Sequence, residues 1–264
     1  MQNPINSVLL FAILCASSIL GFFVHFRLPE RHRAPESLEL VQLTINLLVT
    51  FTAIVLGLLT TSVKEGFDAA YNARGEYAAQ LAQMDRCLSD YGPETAPIRA
   101  QLRSYVAAVI ASTWPDEPPP AGVKYPDTSN MPLTGEVPVL ANIMNEVGLE
   151  TRSLQPKDNL HQTLMAACVQ QYHDLIQARW KVIEGVRGSI SPPFYWVLTF
   201  WLALLFGTFC LTAPPNPMVV TVIALCALSV TVVIFVILDM DKPYGGLFGI
   251  PSTSMRSALA DMMR

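Results

Sequence analysis

The stretch that decides the fold is residues 218–238, MVVTVIALCALSVTVVIFVIL, which contains no Asp, Glu, Lys or Arg. At 1.5 Å per residue, a helix of about 20 residues crosses the ~30 Å hydrocarbon layer of a bilayer. A helix also satisfies its own backbone hydrogen bonds where water is absent. Because the stretch has this length and lacks charge, we interpret residues 218–238 as a transmembrane helix.

Three further windows of similar length lack charge: residues 7–26, 40–63 and 194–212. The chain has 264 residues, of which 52% are hydrophobic and 14% are charged, whereas soluble domains carry roughly a quarter of charged residues. None of the 17 Lys and Arg or 21 Asp and Glu residues falls in the four windows. The composition excludes a purely soluble protein and predicts an all-α polytopic membrane protein with four transmembrane helices.

The spans divide the chain into three parts. Residues 1–63 carry the first two spans, residues 64–193 form an insert, and residues 194–264 carry the last two spans and a tail. Seven prolines between residues 115 and 138 predict an irregular loop that separates two helical halves of the insert. Apolar residues spaced three and four apart predict a helical bundle of about four members, made partly from extensions of membrane helices.

The distribution of cations predicts the orientation. Four crossings place both termini and the insert on the same side of the membrane. Near the membrane ends, that side carries Lys64, Arg74, Arg179, Lys181, Arg187, Lys242 and Arg256, and the other side carries Arg27, Arg31 and Arg33. Because cytoplasmic segments are enriched in Lys and Arg, we expect the insert and both termini to be cytoplasmic.

Motifs for catalysis are missing from the sequence. We find no nucleophile with its base, phosphate loop, zinc cluster or nucleotide fingerprint, and His161 and His173 are too far apart in sequence for a helical metal pair. The five cysteines show neither a disulfide framework nor a metal-ligand spacing. A net charge of −4 gives no basic surface for nucleic acid. We therefore expect no enzyme activity, no catalytic residue, no cofactor, no bound metal and no nucleic-acid partner.

The second span has one polar face. Small or hydrogen-bonding residues recur three or four apart and so share one side of a helix: Gln42, Asn46, Thr50, Ala53, Gly57 and Thr60 or Thr61, with Lys64 continuing the row. Two interpretations stay open. The face is a seam for close helix packing, or it is the wall of a water-filled path between several copies, with Lys64 at its cytoplasmic mouth. In the second interpretation the pore-lining candidates are Asn46, Thr50, Ala53, Gly57, Thr61 and Lys64.

The exit of the fourth span is a second local feature. It reads Asp239, Met240, Asp241, Lys242, Pro243, Tyr244, Gly245, Gly246. Two carboxylates at the C-terminus of a helix oppose its dipole and need compensation. Ion pairs with Lys64, Lys181 or Arg187 would supply it, and the alternative is the beginning of a Ca²⁺ site.

The arrangement resembles the bestrophin-like family of bacterial membrane proteins. The residues that carry the resemblance are Val55, Leu56, Gly57 and Leu58 in the second span, Pro193, Phe194 and Trp196 at the third, and Leu238, Asp239, Asp241, Pro243 and Gly246 at the exit of the fourth. The resemblance implies a bacterial inner-membrane location. The family is distantly similar to bestrophins, which are pentameric anion channels whose second helix lines the pore.

Two functions follow from these observations. The resemblance and the polar face indicate an oligomeric ion channel, selective for anions and a pentamer by resemblance, with lipids and further copies as partners. The alternative is a non-conducting scaffold or signalling protein, whose cytoplasmic helices bind a protein partner. The apolar periodicity between Phe67 and Leu88 motivates this alternative.

Overall fold

All regular secondary structure in the described part of the protein is helical. The computed structural model describes residues 2–27, 35–132, 135–185, 190, 192–214 and 216–264, and it contains no strand within those ranges. The helices are α1 (Gln2–Arg27), α2 (Pro35–Tyr91), α3 (Ala96–Thr113), α4 (Pro138–Arg152), α5 (Asn159–Gly185), α6 (Pro192–Thr212), α7 (Pro217–Met240) and α8 (Thr253–Met262), with a 3-10 turn at Pro93–Thr95. Arg31, Arg33 and Arg187, which entered the count of cations, lie outside the described residues.

Among the described residues, four helices are long and apolar enough to cross a membrane. These candidate spans are Ile5–Arg27, Glu39–Tyr91, Pro193–Thr212 and Pro217–Met240. The predicted all-α fold with four spans is therefore confirmed.

A local signal sets the start of α7. The Asn216 side chain accepts the backbone N–H of Met218 at 3.0 Å, so it caps this helix.

The described residues form two compact units. The membrane unit comprises Met1–Gly66, Gly188–Asp241 and Gly246–Phe248; the helical unit comprises Phe67–Arg187, Lys242–Gly245 and Gly249–Arg264. Helix α2 contributes its first part to the membrane unit and its second part to the helical unit. The tail follows the last two spans in the chain, but Gly249–Arg264 belongs to the same unit as the insert.

The membrane unit is held together by a close crossing of α1 and α6. A Cβ atom placed on Gly21 would lie 2.2 Å from the carbonyl oxygen of Gly207, so no side chain fits there. The Ser17 hydroxyl donates to the Ala203 carbonyl at the same crossing, and a ring nitrogen of His25 lies 2.7 Å from the Leu211 carbonyl oxygen. Small residues and interhelical hydrogen bonds are the usual means of packing helices in lipid.

The helical unit has an apolar core built by five helices. Its buried members come from α2, α3, α4, α5 and α8 and include Leu81, Met84, Leu102, Met144 and Leu175. Burying large aliphatic side chains stabilises such a core by roughly 1.5–3 kcal/mol each. The bundle expected from sequence therefore gains one helix, α8, whose Met255 and Leu259 are buried in the same core.

A disulfide joins two helices of this unit. Cys87 on α2 and Cys168 on α5 are bonded, with their Cα atoms 5.6 Å apart. The sequence shows no disulfide framework, and the structure nevertheless pairs these two cysteines. These two cysteines are separated by 81 residues, and only the packing of α2 against α5 makes them neighbours, so their spacing in sequence gives no signal.

Candidate functional site

The polar face of α2 is exposed along its whole length in the single chain. Every predicted member is exposed: Gln42, Asn46, Thr50, Ala53, Gly57, Thr60, Thr61 and Lys64. A Cβ atom placed on Gly57 would meet no other atom within 4 Å. The face is therefore not a packing seam with another described helix of its own chain.

A different face of α2 packs inside the membrane unit. Ile45, Thr52 and Val63 are buried, and Leu48, Val55, Leu56 and Leu59 pack against the unit's core. At 100° per residue these positions lie far around the helix from Asn46 and Thr50. Helix α2 thus packs against its own chain through one face, and its polar face is left to contact lipid, water or another chain.

The hydroxyl groups of the exposed face are satisfied within the helix. Thr50 donates to the Asn46 carbonyl at 2.9 Å, Thr60 donates to the Leu56 carbonyl at 2.7 Å, and Thr61 donates to the Gly57 carbonyl at 3.1 Å. This pattern is common for Ser and Thr in membrane helices. The threonines can therefore face lipid, protein or water without an unsatisfied donor.

Asn46 is the exception in the interior of this face. Its carboxamide has two donors and one acceptor, and it makes no side-chain hydrogen bond with any residue that the structure describes. An amide left without a partner in an apolar medium costs several kcal/mol. Gln42 carries the same group, but it lies one turn nearer the start of the span. Asn46 therefore identifies the part of α2 that most needs another polar group or water.

The exit of α7 is a closed loop around Asp239. This side chain is buried, and its Oδ2 accepts the backbone N–H groups of Leu247 at 2.7 Å and Phe248 at 2.9 Å. Gly246 has a φ of 86°, and a Cβ atom on it would lie 2.4 Å from Oδ1 of Asp239. Only glycine fits both conditions, because other residues avoid positive φ and would collide with the carboxylate.

Two further residues of the exit, Asp241 and Pro243, have backbone partners as well. The Asp241 carboxylate accepts the backbone N–H of Ile190 at 3.2 Å, and the Pro243 carbonyl accepts the N–H of Ile250 at 2.8 Å. Of the three cations that were expected to compensate the acids, Lys181 pairs with Glu76 at 3.2 Å instead. Within the described ranges, no three His, Cys, Asp and Glu side chains are placed to hold a metal ion.

The surface that motivated the scaffold alternative is mostly inside the protein. Tyr77, Leu81, Met84 and Leu88, which belong to the apolar periodicity that starts at Phe67, are buried in the core of the helical unit, and Tyr71 is the exposed member of the set. The periodicity is therefore explained by folding of the chain itself. It no longer indicates a docking surface for a partner.

Sequence reasoning missed two buried arginines in the helical unit. Arg74 on α2 and Arg179 on α5 are 4% and 6% exposed. In the sequence they counted only as cations near the membrane, since a single Arg on a helix gives no signal of burial. Both line one cavity.

The fold and the exposed face of α2 define a polytopic α-helical membrane protein. The bestrophin-like domain matches residues 12–255. The chain therefore belongs to the bestrophin-like family.

A solved structure has a similar fold. It is described as the crystal structure of a membrane protein, and the match has 15% sequence identity, covers 97% of both chains and has a TM-score of 0.62. At this identity the likeness extends to the fold alone. A comparison with curated proteins finds no match.

Proposed function

We propose that the chain assembles into an oligomeric ion channel, selective for anions, in which α2 lines a path shared between copies. The observation that carries the proposal is the exposed polar face of α2, with Asn46 in its interior. If this face met lipid, the Asn46 carboxamide would remain unsatisfied in hydrocarbon. Several copies arranged with these faces inward would give Asn46 water or a neighbouring chain. The chain acts in this proposal as a conductor of ions and not as an enzyme.

The positive charge at one end of the face supports anion selectivity. Lys64 follows the charge-free segment of α2 and is exposed on the same side of the helix as Asn46. A ring of lysines at the mouth of an oligomeric pore raises the local anion concentration and opposes cations. A ring needs several copies, and the family resemblance suggests five.

The mass of the detergent-solubilised complex tests the assembly. We expect a homo-oligomer with a mass of about five chains, together with bound lipid and detergent. A monomer at all protein concentrations would overturn the shared path, because a path between copies needs more than one chain.

Flux through liposomes tests conduction. Purified protein should pass chloride, and Asn46→Leu or Thr50→Leu should lower the flux at least several-fold, because each puts a bulky apolar side chain on the polar face. Leu58→Phe is the matched control: Leu58 is 68% exposed on α2 but lies off that face, so flux should not change. No chloride flux from the unmodified protein at any voltage or calcium concentration would overturn the proposal.

Ion selectivity tests the role of Lys64. Lys64→Glu reverses the charge at the mouth and should reduce the permeability of chloride relative to potassium. Glu65→Gln removes an exposed acid from the next position of α2 and serves as the control for a general charge effect. An unchanged permeability ratio in Lys64→Glu would place the selectivity elsewhere.

We also propose a bacterial inner-membrane location with the helical unit and both termini in the cytoplasm. The support is the greater number of Lys and Arg residues on that side of the spans. The Cys87–Cys168 disulfide belongs to the helical unit, and cytoplasmic disulfides are usually transient. In this orientation the bond forms and breaks with the redox state of the cell.

A further inference from the structure

The helical unit has a small, partly open cavity that two arginines line. The cavity has a volume of about 80 Å³, which is room for about five water-sized groups when one such group needs roughly 15 Å³. Its polar wall includes Arg74, Tyr77, Tyr105, Ser112, Arg179 and Tyr244. No carboxylate is among the described residues that line it.

Arg74 is a buried cation without a carboxylate partner in the described part of the chain. Its Nε donates to the hydroxyl of Tyr244 at 3.0 Å. Its guanidinium carbon lies 4.5 Å from the ring centre of Tyr244 and 5.1 Å from that of Trp114. Aromatic faces compensate part of a buried positive charge, but the terminal N–H donors of the guanidinium have no acceptor among the residues that the structure describes.

Arg179 has one carboxylate partner at the edge of the unit. Its terminal nitrogen lies 2.8 Å from Oε1 of Glu136, whose side chain is 38% exposed. Its Nε donates to the hydroxyl of Tyr105 at 3.2 Å. Two arginines and one glutamate therefore surround the cavity, and their net charge is +1.

Two tyrosines add a hydrogen-bond donor to the same wall. The hydroxyls of Tyr77 and Tyr105 are hydrogen-bonded to each other, and this bond uses one of their two protons. Burial raises the pKa of Tyr77 well above its usual value, so its hydroxyl keeps its proton at neutral pH. One tyrosine proton therefore remains for a further acceptor.

We propose that this cavity binds a small oxyanion, of the size of inorganic phosphate or a short carboxylate, between Arg74, Arg179 and the Tyr77–Tyr105 pair. A guanidinium offers a planar fork of N–H donors that matches two oxygens of one anion. The anion would neutralise the excess positive charge and accept the unused tyrosine proton. The site lies in the helical unit and does not depend on conduction along α2.

Thermal unfolding of the purified full-length protein tests the site. At constant ionic strength, millimolar inorganic phosphate, sulfate or acetate should raise the Tm by a few degrees, because a ligand that binds only the folded state stabilises it. The three anions separate phosphate-like from carboxylate-like ligands. Chloride is the comparator, and an equal rise with chloride would overturn the preference for an oxyanion.

Two variants locate the binding. Arg74→Met removes the charge with similar length, and it leaves no carboxylate unpaired, so it should fold and lose the rise in Tm. Tyr77→Phe keeps the ring and removes the hydroxyl, so it should reduce the rise. Arg152→Met is the matched control, since Arg152 is an exposed arginine of the same unit that contacts His173 and Tyr172. Equal rises in all three variants, or no rise in the unmodified protein, would overturn the proposal.

Discussion

At the scale of single residues, the exit of α7 depends on the absence of one side chain. Gly246 combines a positive φ with a backbone that lies against the buried Asp239 carboxylate. The carboxylate in turn holds the N–H groups of Leu247 and Phe248. In this motif the Asp239 carboxylate therefore binds the backbone of the loop, and Gly246 leaves room for the carboxylate.

The first prediction concerns the contact between Gly246 and the Asp239 carboxylate. Gly246→Ala should lower the free energy of unfolding by about 2 kcal/mol or more, because it adds a steric clash to the cost of positive φ. Gly245→Ala is the control: Gly245 has a φ of 92° but no atom within 4 Å of an added Cβ, so only the backbone cost of roughly 1–2 kcal/mol applies. Thermal or denaturant unfolding measures both, and equal losses would show that the contact with Asp239 contributes nothing.

The second prediction concerns Glu117, which holds the tail helix. Its carboxylate accepts hydrogen bonds from the Ser252 hydroxyl and from Nε of Arg256. The hydrogen bond from Ser252, followed by that from Arg256, lowers the pKa of Glu117 from its ordinary 4.5. A carboxyl group whose pKa is lower in the folded state stabilises that state above its ordinary pKa and loses the effect as the pH falls through the folded value.

We therefore expect the protection of α8 amides from hydrogen exchange to fall as the pH drops below about 4.5. Glu117→Gln should show reduced protection already at pH 7 and a weaker dependence on acid. Glu184→Gln, at an exposed position of α5, provides the control for a general acid effect. A pH profile that is identical in Glu117→Gln and the unmodified protein would contradict this role.

At the scale of elements, the α1–α6 crossing requires glycine for a reason of space. The third prediction is that Gly21→Ala destabilises the membrane unit, because its Cβ would lie 2.2 Å from the Gly207 carbonyl oxygen. The loss should be about 1–3 kcal/mol, the usual cost of overpacking. Gly57→Ala should be neutral or stabilising, since Gly57 has open space and alanine is the better helix former. Unfolding in detergent measures the two variants, and a stable Gly21→Ala would show that the helices can separate without loss.

Elements also show how much of the fold can be predicted from sequence. The four spans were predictable because the lack of charge over 20 residues is a local property, as in residues 218–238. Helix α8 was missed although Met255, Ala258, Leu259 and Met262 have helical spacing, because ten residues in a tail give little periodicity to read. The sequence of α2 predicted that its polar residues share one face. It did not predict whether other helices of the same chain cover that face.

Contacts between distant parts of the chain account for what was missed. The Cys87–Cys168 bond and the cavity between Arg74 and Arg179 arise only when α2 packs with α5. Neither pair has a sequence spacing that signals contact. The residue type alone does not show whether an arginine is buried or exposed. The excess of positive charge inside the helical unit could therefore be found only from the fold.

At the scale of the whole molecule, the disulfide tests the orientation of the chain. The fourth prediction is that Cys87, which is half-buried whereas Cys168 is fully buried, is alkylated by a membrane-permeant thiol reagent in untreated cells, and that an oxidant such as diamide abolishes this labelling. The reason is that a cytoplasmic helical unit lies in a reducing compartment. Cys168→Ser, which cannot form the bond, should leave Cys87 reactive under both conditions. A bond that is fully oxidised in untreated cells would instead place the helical unit outside the cytoplasm.

The position of α8 has a consequence for biosynthesis. Its Met255, Leu259 and Met262 complete the core of the helical unit, yet α6 and α7 precede α8 in the chain. When the insert leaves the ribosome, its core still lacks these three side chains, and two spans must be made before they arrive. The core of the helical unit is therefore complete only after the later spans have been synthesised, and part of its apolar interior lacks cover until then.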